Sequence, residues 1–180
     1  MKLLLDTCVL YPTVMRSVLL GVARAGVFTP LWSARILEEW ARAARKLGPE
    51  GEVQARSEIA MLRVSWPKAE IKIPESLEKR LYLPDQNDIH VLAAAIAGSA
   101  DGILTVNAKD FPRHILAEEG VTRNDPDSFL FGIWQTQPEL VAKVVEDVRN
   151  EACRLSGDHW DTRALMKKAR LPRLGKALTR

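Results

Sequence analysis

Cysteine is scarce. The 180 residues contain only Cys8 and Cys153, which provide neither a disulfide framework nor a paired metal-binding spacing. The three histidines, His90, His114 and His159, share no metal-ligand spacing either, and each reads as a surface or packing residue. Long apolar runs are missing, and none approaches the roughly 20 residues that cross a bilayer. Met1-Lys2 leads straight into Leu3-Leu4-Leu5-Asp6, without the basic stretch and small-residue cleavage site of a secretory signal. A cytoplasmic location is therefore expected. No repeat or low-complexity stretch occurs. Hydrophobic residues make up 47% of the chain, enough for a packed core and against disorder. The length suits one α/β domain or a domain with a small appendage.

Acids are absent from the last stretch. Between Thr162 and Arg180 lie seven basic residues (Arg163, Lys167, Lys168, Arg170, Arg173, Lys176 and Arg180) and no Asp or Glu, so the formal net charge of +3 combines this tail with a body at −4. A basic tail beside an acidic body suits a polyanion. A solvated terminal helix accounts for the same residues equally well.

The run Leu3-Leu4-Leu5 stops abruptly at Asp6, as a buried parallel strand does. Val14, Val18, Leu19, Val22 and Ala25 then share a helical face that Gly26 ends. Pro30 to Ser33 opens a second helix, with Ser33 as N-cap and Ile36, Leu37, Trp40, Ala41 and Ala44 facing inward, and Gly48-Pro49 closes it. A third helix is expected over 52–63, a strand over 70–73, a helix over 86–97 and a compact β-branched strand over 103–106. Val121-Thr122 reads as a short strand, and Asp125-Pro126 has the chemistry of a helix start. Helices over 138–155 and 162–169 complete the chain. Strands alternating with helices predict an α/β fold with a central parallel sheet, helices on both faces and a helical C-terminal appendage.

In such sheets ligands bind beyond the carboxyl ends of the strands. Asp6 ends the first strand, and Asn107 and Asp110 lie just past the strand at 103–106. Asp88 heads the apolar stripe Val91, Leu92, Ala95 and Ile96, where a carboxylate is costly without a partner or a cation. Its alternative role is helix capping beside Asp85. Of Glu38 and Glu39, Glu39 flanks the apolar face of its helix more closely and is the better candidate to enter a cleft. Carboxylates gathered this closely oppose folding unless a cation compensates them. An all-oxygen donor set suits Mg²⁺ or Mn²⁺, and such an ion supports phosphodiester hydrolysis. Thr105 and Ser33 are placed to hydrogen-bond the ligand carboxylates or water beside them.

Four segments carry a resemblance. They are Leu4-Leu5-Asp6-Thr7-Cys8-Val9-Leu10-Tyr11-Pro12, Ser33 through Glu39, Pro84-Asp85-Gln86-Asn87-Asp88 through Ala95, and Thr105-Val106-Asn107-Ala108-Lys109-Asp110-Phe111-Pro112, with Pro126-Asp127-Ser128-Phe129-Leu130 as a further match. Together, from about residue 2 to 135, they resemble the PIN domain, in particular its toxin branch related to the VapC toxins. The resemblance implies a three-layer α/β/α fold, cleavage of single-stranded RNA at an acidic Mg²⁺ site and, often, homodimers. It matches Asp6, Glu39, Asp88 and Asp110 to the family's four acids, with Asn107 at a nearby position. It implies a nuclease domain over 1–135 and a helical extension over 136–180 that is basic after 162. The chain departs from the pattern at Cys8, where many members have Asn, and at Asn107, which carries no charge.

The resulting expectation is a Mg²⁺-dependent endoribonuclease, the toxin of a toxin–antitoxin pair, with RNA as substrate, an antitoxin as partner and a homodimeric state. Arg16, Lys109, Arg113 and the basic tail are the expected RNA contacts. Alternatives are an RNA- or antitoxin-binding module with a degenerate site, and a phosphoaspartate protein of the receiver or dehalogenase type. Cys8, if the strand continues past Asp6, points away from the site as a small hydrophobe. Asp101 falls at the opposite end of the sheet, Asp125 and Asp127 read as caps, and the tryptophans belong to the core or an interface.

Overall fold

The computed structural model describes residues 1–179, so Arg180 of the basic tail lies outside the described residues. Strand β1 is Lys2–Leu5, with Leu3, Leu4 and Leu5 all fully buried. Successive side chains on a strand point to opposite faces, so both faces of β1 are covered, as a parallel sheet requires. The strand ends where the Asp6 carboxylate accepts from Thr7 N–H at 2.6 Å and starts the one-turn helix α1, Thr7–Leu10. Helix α2 spans Thr13–Arg24.

The expected helix opening at Pro30 is instead a strand. β2 covers Thr29–Ser33 and pairs in parallel with β1, Leu31 opposite Leu4. Proline, which cannot donate to a ladder, disguises this strand in the sequence. Ser33 then caps α3, Ala34–Ala43, by accepting from Ile36 N–H at 3.2 Å. A 3-10 turn over Ala44–Leu47 leads into α4, Pro49–Ser65. A Cβ on Gly51 would lie 2.2 Å from the Ala44 carbonyl oxygen, so only glycine lets α4 start this close to the turn.

Strand β3 is Glu70–Ile71, paired in parallel with β2, and helix α5 is Glu75–Arg80. A 3-10 turn at Gln86–Asp88 precedes α6, Ile89–Ala97, which is buried from His90 to Ala95 and packs on β1, β2 and β4. Strand β4, Gly102–Leu104, pairs in parallel with β1 and stops short of Thr105. Helix α7 is Arg113–Glu118 and β5 is Thr122–Asn124. The remaining elements are α8 (Pro126–Thr136), α9 (Pro138–Ser156), α10 (Thr162–Lys168) and α11 (Pro172–Leu178). The sheet order is β3-β2-β1-β4-β5, the expected α/β architecture with a central parallel sheet and surrounding helices. Among the described residues no helix is long and apolar enough to cross a membrane.

The described residues form two compact units, residues 1–11 with 29–123, and residues 12–28 with 124–179. In the second, α2 packs on α9, and α11 packs on α8 and α10. Asp125 caps α8 through Ser128 N–H. Asp127, itself buried, accepts from the N–H groups of Arg173 and Leu174 at 2.9 and 3.0 Å and so caps the first turn of α11 from a distance. The basic segment is therefore docked. Leu165, Met166, Leu171 and Leu174 are buried while its cations face out, with Lys168 4.6 Å above the Trp160 ring and Arg173 4.7 Å above Phe131.

In the first unit β2 and β3 are added on one side of β1, and β4 and β5 on the other. The strand order reverses between β1 and β4, and a crevice at their carboxyl ends is where an open parallel sheet binds ligands.

Candidate functional site

Asp6 and Thr105 face one another across this reversal. Asp6 N–H extends the ladder to the Leu104 carbonyl at 3.1 Å, and the Thr105 hydroxyl donates to Asp6 Oδ2 at 2.8 Å. Thr105 in turn accepts from Asn107 N–H at 3.0 Å, fixing the loop that carries Asn107. Cys8 does not point away as expected. The chain turns into α1 at Thr7, which brings Cys8 Sγ to 3.0 Å from Asp6 Oδ2 and 3.3 Å from Thr105 Oγ1. Burial, and then the charge of Asp6, push its thiol up to about 12, so it stays protonated.

Glu39 reaches the same place from α3. Thr7 Oγ1 donates to its Oε2 at 3.0 Å, linking it to the residue beside Asp6. His90, expected as a bystander, is buried with Nε2 2.9 Å from Glu39 Oε1. The contact is close but off the N–H axis, so neither imidazole nitrogen completes a directed hydrogen bond. Burial pushes the Glu39 carboxyl up, and His90, Thr7 and Arg35 together outweigh it, holding the group below the usual carboxylate range. Glu38 points elsewhere, where Arg56 and Arg42 bind it and lower it to about 2.

Asp88 occupies the N-cap position of α6 but makes no capping bond there. The capping role falls to Asp85, which accepts from Asn87 N–H at 2.9 Å. Asp85, Asp88 and Asp110 each present a carboxylate oxygen, and the three oxygens lie within 4.8 Å of one another. Burial, then repulsion by Asp6, Asp85 and Asp110, raise the half-buried Asp88 to about 6. Asn107 Nδ2 donates to Asp110 Oδ2 at 2.5 Å, so the amide holds the most distant acid in place.

Asp6, Glu39, Asp88 and Asn107 thus line a single cavity of about 370 Å³, with Thr7, Cys8, Tyr11 and Lys46. Asp110 is outside that lining and joins through Asp88. The Ser33 hydroxyl accepts from Ile36 N–H as the α3 cap, and among the described residues no hydrogen bond links it to the carboxylates. Arg16 is only 7% exposed on α2, so it is not a surface cation, whereas Lys109 and Arg113 are exposed. Three contributors were missed in the sequence, Thr7, Asp85 and Lys46. Lys46 had a signal, since Glu39, Ala43 and Lys46 have the i, i+4, i+7 spacing of one helical stripe.

The donors around Asp88 are carboxylate oxygens, half-buried and mutually repelling. That combination fits a hard divalent cation, whose charge relieves the repulsion that raises Asp88. The same crowd attracts no anion unaided, so a phosphate would approach only with such a cation present.

Comparison with known proteins agrees with this geometry. The family model for the PIN domain matches residues 2–109, a span that holds Asp6, Glu39, Asp85, Asp88 and Asn107 and ends one residue before Asp110. Neither the curated proteins nor the solved structures gave a match. With an acidic cavity at the sheet's reversal point and more than half of its length matched, the chain belongs to the PIN-domain family, whose members are generally nucleases.

Proposed function

We propose that this chain is a Mg²⁺-dependent endoribonuclease, Mn²⁺ being the nearest substitute, with catalysis in residues 1–135 and a helical extension over 136–180. The observation that carries the reading is the convergence of Asp6, Glu39, Asp88 and Asn107 on one cavity, with Asp85 and Asp110 beside Asp88. Asp6, Glu39, Asp88 and Asp110 hold the cation directly or through water, and Asp85 adds charge next to them. Bound there, the ion supplies charge neutralisation at a phosphodiester and a nucleophile available at neutral pH. The chain's own groups do the positioning. Thr105 and Thr7 fix the carboxylates of Asp6 and Glu39, and Asn107 fixes Asp110. Lys46 at the cavity wall, with exposed Lys109 and Arg113, holds the RNA backbone. The basic residues after 162 add further phosphate contacts.

In the same reading the protein is a cytoplasmic toxin related to the VapC toxins, acting on single-stranded RNA, held in check by a cognate antitoxin and pairing with a second copy of itself. A small DNA-binding protein encoded directly upstream supports the toxin role, and its absence favours RNA processing.

The test is cleavage of single-stranded RNA in Mg²⁺ and in EDTA, by the native chain and by Asp6→Asn. The variant keeps the fold and loses cleavage. Mg²⁺-dependent cleavage retained by the folded variant refutes the assignment. A non-catalytic RNA- or antitoxin-binding module is the second reading, favoured by the neutral Asn107 beside Asp110. RNA binding without metal and without turnover selects it.

A further inference from the structure

His90 is 1% exposed near the start of α6, and neither of its ring nitrogens completes a directed hydrogen bond. A leucine would fill the same place without leaving polar atoms unpaired. One nitrogen nevertheless has company. Nε2 lies 2.9 Å from Glu39 Oε1, a separation at which two lone pairs would repel, so Nε2 carries a proton and Nδ1 is the atom with no neighbour to serve. Among the described residues two further groups reach Glu39. Thr7 Oγ1 donates to Oε2 at 3.0 Å, and Arg35 Nε approaches Oε1 at 3.4 Å from an exposed position. Water weakens the Arg35 contact. His90 is therefore the buried restraint on one oxygen, and Thr7 is the restraint on the other.

We propose that His90 is a positioning residue, which aims the Glu39 carboxylate at the cation of the acidic cavity. The inference rests on the metal-site reading above. His90 is not among the residues lining the cavity, so it acts through Glu39 and not on the ion or the RNA. Held at both oxygens, the carboxylate is kept from swinging outward to Arg35 and the solvent. The bent contact leaves lone pairs of Oε1 for a metal. Asp88 stands two residues ahead of His90, so one turn of chain supplies an acid and orients a second that α3 carries. A buried nitrogen left without a partner is the cost of that arrangement.

The experiment is calorimetric titration of the full chain with Mn²⁺, together with melting of the metal-free chain followed by circular dichroism. Three variants are compared with the native chain. His90→Leu keeps the bulk and removes both nitrogens. His90→Gln returns an amide N–H near the place of Nε2, whereas His90→Asn returns one near the place of Nδ1. Mn²⁺ affinity falls about 10–100-fold in His90→Leu and His90→Asn, and stays within about threefold of native in His90→Gln. Metal-free His90→Leu melts no lower than the native chain, because an apolar side chain replaces a buried polar one. Native affinity in His90→Leu overturns the proposal. Equal losses in the glutamine and asparagine variants overturn it too, as does a loss in His90→Leu matched by earlier melting, since packing alone accounts for either. A native chain that binds no Mn²⁺ defeats the metal-site reading itself, and this inference with it.

Discussion

The Thr105 hydroxyl donates to Asp6 Oδ2 at 2.8 Å, tying the residue after β4 to the residue after β1 across the reversal of strand order. Groups that orient ligand carboxylates typically change metal affinity about 10–100-fold when removed. Thr105→Val keeps the shape and deletes the donor, so Mg²⁺ or Mn²⁺ affinity measured by calorimetry falls by that order, while Thr105→Ser stays near native. Native affinity in the valine variant would remove Thr105 from the site.

Asp88 is raised from 3.8 to about 6, first by burial and then by its acidic neighbours. The folded chain holds this proton more tightly than the unfolded chain. Its stabilising contribution is complete below about pH 4 and is lost as pH rises through about 6. Without metal, Asp88→Asn should therefore melt above the native chain near pH 7, and the gap should close near pH 4. Mg²⁺ added near pH 7 should raise the native melting temperature more than that of the variant. A gap that is independent of pH contradicts this account.

The Cys8 thiol, pushed up to about 12, is almost wholly protonated at neutral pH, and the thiolate is the reactive form. Iodoacetamide should label Cys8 in the native chain at least about a hundredfold more slowly than in the denatured chain. Peptide mass spectrometry distinguishes it from Cys153. Rapid native labelling would mean that Cys8 lies open to solvent.

Two glycines in helices should respond in opposite directions. A Cβ at Gly51 meets the Ala44 carbonyl oxygen at 2.2 Å, whereas one at Gly132 meets nothing within 4 Å. Gly51→Ala forces backbone to move and should cost about 1–3 kcal/mol. Gly132→Ala should stabilise by up to about 1 kcal/mol through helix propensity. Urea unfolding of both variants gives the comparison, and equal effects would contradict the close approach of α4 to its preceding turn.

What could be read from the sequence was whatever depends on short-range order. Leu3-Leu4-Leu5 and Ile103-Leu104 are continuous apolar runs that end in polar residues, which is enough to place Asp6 at the end of its strand and Asn107 a short way past its own. β2 escaped because Pro30 suggests a helix start and the apolar pair Leu31-Trp32 is too short to show a period. Cys8 was misplaced by extending β1 one residue too far, where the Asp6 cap turns the chain into a helix. Arg16 was misjudged because the buried arc of α2 extends beyond the expected stripe on the side of Leu19, where it takes in Ala23 as well. Asp85 had been assigned a single task, and the fold gives it two.

β1 lies at the centre of the sheet, yet β4, its neighbour on one side, is encoded about a hundred positions later. At about 5–20 residues per second, on the order of ten seconds of synthesis separates the two. Through most of that interval a growing polypeptide has Asp6 without Asp88, and throughout it lacks Thr105 to orient Asp6 and Asp110 to complete the acidic group. The acidic cavity is therefore absent until β4 and the residues just after it have been made, and a chain that stops before Asn107 lacks it.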